Sequence, residues 1–333
     1  MTQTGITPSR RQAVLTDYLA IARFDHITKH MFIVPGLIIA YALREPPTDN
    51  VLVAIVVGFL SAVAIASANY VINEWLDREF DAYHPSKSAR TAVNVRLSPG
   101  VVHLEYAAFA LIGLALAFMV GPLFFAASAL FLLSGLIYNV APLRTKDRAY
   151  LDVVSESVNN PIRLVLGWAM LESSSLPPAS LLLTYWAGGA FLMGAKRLSE
   201  FRDISAAAGI ETLHQYRRSF RGYSLESLIV SCLLYAMICA FFLAVFLIRY
   251  RMEYVLAFPL IAALFACYLW LSMLKDSIAQ RPERMFRSRR LVAALGLTVI
   301  AMTVLTFVDI PELSRILEPS FVPVDMMKKP GGN

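Results

Sequence analysis

Charge is scarce in this chain. Asp, Glu, Lys and Arg make up 16% of its 333 residues, against 57% hydrophobic, where a soluble domain carries about 25% charged. With a mean hydropathy of +0.59, a soluble globular domain of this size is excluded. Cysteine is nearly missing as well. Cys232, Cys239 and Cys267 all fall in apolar runs and no CxxC occurs, which excludes a disulfide framework or thiolate metal site and leaves small core residues. The first 28 residues are polar and basic; without an apolar h-region, no cleavable signal peptide is expected.

What the chain does have is apolar length. Nine runs stand at roughly 29–43, 51–72, 101–120, 122–140, 150–171, 179–196, 225–248, 254–274 and 290–308, and about 20 residues cross a hydrocarbon core. Lipid offers no partner to an open strand edge, so all should be helices. The expected fold is an all-α integral membrane protein with nine transmembrane helices. Twenty-three of the 30 Lys and Arg fall in the N-terminus and the even-numbered loops, six in the odd loops and the C-terminus. That asymmetry places the N-terminus and even loops in the cytoplasm. Residues 1–22 then read as a cytoplasmic lead-in, 23–308 as the membrane domain and 309–333 as an extracytoplasmic, partly disordered tail. The net charge of +6 is topological and does not argue for nucleic acid, because no soluble basic domain carries it.

Nearly all the acid of the first half lies in Asn73–Arg90, NEWLDREFDAYHPSKSAR. Asn73, Asp77 and Asp81 are spaced by four, so on a helix they share one face, successive residues roughly 6 Å apart along the axis. Two carboxylates and an amide oxygen suit Mg²⁺, which takes few protein oxygens and shares the rest with phosphates and water. Pro85 should stop the helix, leaving Lys87 and Arg90 to hold phosphate oxygens. A solvated helix end is the plainer alternative, but the motif closes a charge-free apolar run, and ionisable groups at a membrane boundary are more often functional.

Further motifs stand at other run ends. In Arg23-Phe-Asp-His26-Ile-Thr-Lys29-His30, Lys29 is either an interface anchor or a phosphate ligand. Tyr138-Asn-Val-Ala-Pro142-Leu143-Arg144-Thr-Lys146 puts a basic cluster after the fourth run, where ordinary positive-inside chemistry would also put one. The fifth run holds Asp152, Glu156, Asn159 and Arg163 in one stripe, broken by Pro161. Such a stripe faces other helices or water, and Arg163 needs an anion, either Glu156 or a substrate phosphate. The sixth run ends in Lys196-Arg197-xx-Glu200-xx-Asp203, a second charged face: either an internal salt-bridge set or, with the first, one site in which acids hold Mg²⁺ and cations take phosphates. The loop over residues 204–224, with His214, Tyr216, Arg217, Arg218 and Arg221, reads as a basic lid or a surface for anionic lipid heads.

Together these motifs resemble the UbiA superfamily of intramembrane prenyltransferases, from about Arg23 to Val308. The resemblance implies helices around a central cavity open to the membrane, with a Mg²⁺–diphosphate site on the cytoplasmic side. Where aromatic prenyltransferases of that superfamily carry a second acidic set, this chain has Lys196-Arg197-xx-Glu200-xx-Asp203. With Arg23-x-Asp-His26-xx-Lys29, His84-Pro85-Ser-Lys87 and Arg163, it looks more like the polyprenyl-phosphate (decaprenyl-phosphate) phosphoribosyltransferase branch, which joins phosphoribosyl diphosphate (PRPP) to a lipid phosphate. On that resemblance Asn73, Asp77 and Asp81 hold Mg²⁺ and diphosphate. Lys87, Arg90, Lys196 and Arg197 take phosphate oxygens, with Tyr138, Arg144 and Lys146 beside them, and Lys29 or Arg163 takes the lipid phosphate. Glu200 and Asp203 hold a second ion or orient Lys196. The implied partners are a polyprenyl lipid and a diphosphate-bearing donor. Prenyl transfer to an aromatic or quinone-precursor ring, and terpene cyclisation, stand as alternatives. A transporter fits less well, since the charges lie at run ends and no inverted repeat is evident.

Overall fold

A computed structural model describes residues 11–44, 50–84, 87–250, 252–274, 277, 279 and 288–313, leaving aside the side chains of residues 26–29. The α-helices given whole by the described residues are α1 (Leu15–Ile21), α2 (Val34–Leu43), α3 (Val51–Asp81), α4 (Thr91–Asn94), α5 (Pro99–Val120), α6 (Pro122–Asn139), α7 (Leu151–Ser157), α8 (Asn159–Ala169), α9 (Ala179–Tyr216), α10 (Leu225–Tyr250), α11 (Phe258–Ser272) and α12 (Arg289–Phe307). The one sheet among the described residues is a parallel pair, β1 (Arg11–Gln12) with β2 (Val95–Arg96).

Among the described residues, six stretches are long and apolar enough to cross a membrane: Val51–Asp81, Pro99–Val120, Pro122–Asn139, Leu225–Tyr250, Met252–Ser272 and Arg289–Phe307. Three of the nine apolar runs take other forms. The first is a 3-10 segment, Phe24–Ile33, leading into the ten-residue α2. The fifth is two short helices that part at Val158. Its cause is Pro161, which has no N–H for the Ser157 carbonyl; the Asn160 amide donates to that carbonyl instead, at 3.3 Å. The sixth does not end at 196. It continues as α9 for 38 residues, through most of the stretch expected to be a loop, with one break at Gly209 (φ 83°). Ala, Glu and Leu in residues 206–213 are strong helix formers, and their polarity had read as loop.

Helices α3, α5 and α6 pack together, α2 lies on α8, α9 runs along α10, and α11 pairs with α12. Apolar burial does not drive helices together in lipid, so close packing must. Gly36 of α2 and Gly167 of α8 show how: a Cβ on either would overlap a backbone carbonyl of the other segment. On α5, Leu104, Leu111 and Phe118 recur every seven residues and are 70%, 69% and 76% exposed, an apolar stripe turned to lipid. The lead-in helix α1 docks through Ile21 and Ala22 onto Val71, Ala92, Val95 and Val102.

Candidate active site

Helix α3 delivers the acids. It ends at Asp81, four residues short of Pro85, so Asp77 and Asp81 sit in its last turns. Carboxylates are disfavoured there, where the helix carbonyls already point their negative ends, and they persist because cations from two loops compensate. Arg144 Nη2 donates to Asp77 Oδ1 at 3.0 Å, Lys146 Nζ pairs with the same carboxylate, and Arg90 Nη1 lies 2.6 Å from Asp81 Oδ2. Asn73 donates its amide hydrogens to Asp77 Oδ2 and to Asn139, which leaves its own Oδ1 as an acceptor.

The loop after α6 is built to hold its two cations. Arg144 has φ 29°, a left-handed conformation that costs a non-glycine residue free energy. Bonds to Asp77, to Asp147 Oδ2 (3.1 Å) and to the Asn139 carbonyl (2.9 Å) keep it there. Lys146 is 3% exposed and also donates to Asn139 Oδ1 at 2.8 Å. Burial pulls its ammonium down to about 8. Lys87 is lowered to about 8 for the same reason; its Nζ donates to the Tyr216 hydroxyl and lies 4.7 Å from the centre of that ring. His84 packs edge-on against Tyr216 and, through burial and then the Lys87 charge, is held down to about 3. It is therefore neutral at pH 7.

These elements enclose one cavity, lined by Asp77, Phe80, Asp81, Lys87, Arg144, Lys146, Asp147, Tyr216 and Arg217. Residues from α3, from two loops and from the end of α9 thus meet in one place. Asn73 and Arg90 stand behind its acids, and Tyr138 behind Arg217, whose Nη1 donates to the Tyr138 hydroxyl at 3.3 Å.

The charged face of α9 lies a layer deeper. Arg197 is 2% exposed; its Nε donates to Asp152 Oδ2 at 2.9 Å and its Nη1 to Glu200 Oε2 at 2.8 Å. Glu200 also accepts from the Tyr216 hydroxyl at 3.4 Å, which links it to Lys87. Asp152, fully buried, accepts as well from Arg217, Ser219 and Tyr223. The geometry makes Arg197 a buttress rather than a group facing the cavity, because protein acids already engage it. Asp203 pairs with Arg202 at 2.7 Å, and Lys196 is half-buried one turn before Glu200. Arg163 has no ion pair with Glu156; its guanidinium lies 4.9 Å from the Phe131 ring centre, its Nε buried without a hydrogen-bond partner. The Lys29 side chain lies outside the described residues. Asn139, Asp147 and Asp152 were not singled out as site residues, and Tyr216 and Arg217 only as lid. The signal for Asp152 was its place in the polar stripe with Glu156, Asn159 and Arg163.

No trio of carboxylate, imidazole or thiol groups forms a closed metal cage among the described residues. Two acids at one cavity edge, flanked by cations, fit Mg²⁺ of the kind that binds through one or two carboxylates together with substrate phosphates.

Residues 31–308 match the model of the UbiA prenyltransferase family. The chain belongs to this family. It is a UbiA-family transferase, and its architecture recurs in solved members. A UbiA homologue from Archaeoglobus fulgidus bound to DMAPP and Mg²⁺ is 19% identical with a TM-score of 0.63, covering 88% of this chain and all of its own. An apo UbiA homologue from Aeropyrum pernix K1 is 14% identical, TM-score 0.59, over 83% and 98%. A digeranylgeranylglyceryl phosphate synthase is 12% identical, TM-score 0.57, over 87% and 95%. No curated protein sequence matches the chain.

Proposed function

We propose that this UbiA-family chain transfers the 5-phosphoribosyl group of PRPP to a polyprenyl phosphate, with diphosphate as leaving group and Mg²⁺ as cofactor. The observation that carries the reading is the lining of the cavity. Four cations (Lys87, Arg144, Lys146 and Arg217) and three acids face it, with Phe80 and Tyr216 as its aromatic residues. A prenyl diphosphate brings one diphosphate. PRPP brings a diphosphate and a 5-phosphate, and its acceptor adds another phosphate, so four cations on one wall suit it better.

In this reading Asp77, Asp81 and the Asn73 oxygen hold Mg²⁺; a solved UbiA homologue from Archaeoglobus fulgidus is bound to Mg²⁺ with DMAPP or GPP. Bound there, the ion would neutralise charge developing on the departing diphosphate. Lys87, Arg144, Lys146 and Arg217 now neutralise acids or one another's partners, and would turn to phosphate oxygens, fixed donors aimed where charge accumulates. Tyr216 and Glu200 hold Lys87 in place, and Asp152 and Tyr138 hold Arg217. The bond from the anomeric carbon to the diphosphate oxygen breaks, and a lipid-phosphate oxygen bonds to that carbon. That acceptor is already an anion at neutral pH, so no general base is required. Lys29 or Arg163 would receive its phosphate. Nine spans with the N-terminus and the cavity on the cytoplasmic side and residues 23–308 as the transferase domain complete the proposal; Glu200 and Asp203, engaged by Arg197 and Arg202, position cations and hold no second ion.

The test incubates purified protein and Mg²⁺ with ribose-labelled PRPP and decaprenyl phosphate, and separately with a labelled prenyl diphosphate and 4-hydroxybenzoate. Label should enter lipid in the first tube. Labelled product only in the second would replace phosphoribosyl transfer by aromatic prenylation within the same family.

A further inference from the structure

A second cavity lies on the outer side of the α3–α5 pair, at the same end of the bundle as the first. Trp75, Arg78, Val95, Arg96, Leu97 and Pro99 line a cleft of about 250 Å³. Asp77 and Arg78 are successive residues, so α3 turns one toward the charged cavity and the other, about 100° round the helix, toward this cleft. Its wall holds two guanidiniums and no carboxylate. Arg78 packs 5.0 Å from the Trp75 ring centre and donates to the Trp75 carbonyl at 2.6 Å, while its contact with exposed Glu79 is a long 3.4 Å. Arg96 is exposed and makes no side-chain hydrogen bond or ion pair among the described residues. The transferase reading uses neither arginine.

The level of the cleft identifies what it meets. The charge-free part of α3 ends at Ile72, one turn before Trp75, and a tryptophan with arginines beyond such a run marks the headgroup zone of a bilayer. On the bilayer side, α5 presents Val101 and Leu104, 42% and 70% exposed, so an acyl chain would lie directly beneath a headgroup held in the cleft. We infer that this cleft binds the phosphate of an anionic bilayer phospholipid, with Arg78 and Arg96 as its cations and Trp75 as the interfacial wall. The bound lipid would fasten the lead-in to the bundle. Arg96 belongs to β2, which pairs with Arg11–Gln12, and the adjoining Ser98 amide donates to the Tyr18 hydroxyl at 3.0 Å.

The full chain is purified in a mild detergent with phosphatidylglycerol, or with phosphatidylcholine, and retained lipid is counted by native mass spectrometry. Wild type should keep one phosphatidylglycerol and lose phosphatidylcholine. R78Q/R96Q should retain at least about tenfold less phosphatidylglycerol, and single R96Q an intermediate amount. R96Q changes only an exposed, unpaired side chain, so it keeps the test open if the double variant does not fold. Equal retention in wild type and R96Q/R78Q, or equal retention of the zwitterionic lipid, would overturn the site. Displacement of the lipid by millimolar inorganic phosphate would make it a soluble-anion site and overturn the lipid assignment. Unchanged lipid retention with lost turnover would reassign both arginines to the reaction.

Discussion

The molecule holds two buried ion clusters side by side, built from the same residue types. Around Asp77 and Asp81, cations and acids line an open cavity. Around Asp152, four donors (Arg197, Arg217, Ser219 and Tyr223) converge on one fully buried carboxylate. Charge at a membrane boundary is therefore not a site by itself. What separates site from buttress is access to a cavity next to the charges, and Arg217, which touches both clusters, is where one supports the other.

Breaking the closed cluster should have the largest effect. Asp152→Ala takes from Arg217 its carboxylate and from buried Arg197 one of its two, leaving it only Glu200; breaking such a buried pair costs roughly 3–5 kcal/mol, and thermal unfolding of the purified protein should show a large loss of stability. Asp77→Asn should lower turnover roughly 10³-fold with a smaller loss of stability, since the amide keeps an oxygen to accept from Arg144 and Lys146. If both variants lose stability alike, the distinction between the clusters fails.

Smaller effects sharpen the comparison. Burial holds Lys87 and Lys146 near 8, below the usual lysine value, so each loses its proton as pH rises through that point. kcat/KM, which reports the free enzyme, should fall above about pH 8, while kcat should hold to higher pH because bound phosphate keeps the ammonium charged. K87R should make the alkaline limb shallower, leaving Lys146 as the group that still titrates near 8; an unchanged slope would remove Lys87 from anion binding. Tyr216→Phe removes a hydroxyl between Lys87 and Glu200. It should raise the donor KM about fivefold, as one ordinary hydrogen bond of about 1 kcal/mol would, with kcat little changed.

Much of this was legible before any coordinates. The long spans α3, α5, α6, α10 and α12 fall close to the apolar runs, because twenty residues without charge leave little choice of structure. Asp77, Asp81, Lys87, Arg144 and Lys146 were named from spacing and position, and all five reach the cavity wall. What spacing does not carry is which charged residues meet across the chain. Arg197 and Asp152 are 45 residues apart, Lys87 and Tyr216 129, and only packing decides that Arg197 turns inward. Polarity also misled: residues 204–216 read as loop, yet they continue α9 and bring Tyr216 to the site.

The central claim is that charged ends of α3 and α9, remote in sequence, share one compartment for a metal-bound diphosphate. Calorimetric titration of the purified protein with pyrophosphate, with and without Mg²⁺, tests it most directly. The account predicts binding in wild type only when Mg²⁺ is present, and its loss in both Asp77→Asn and Arg217→Gln. Undiminished binding in either variant would contradict a shared compartment.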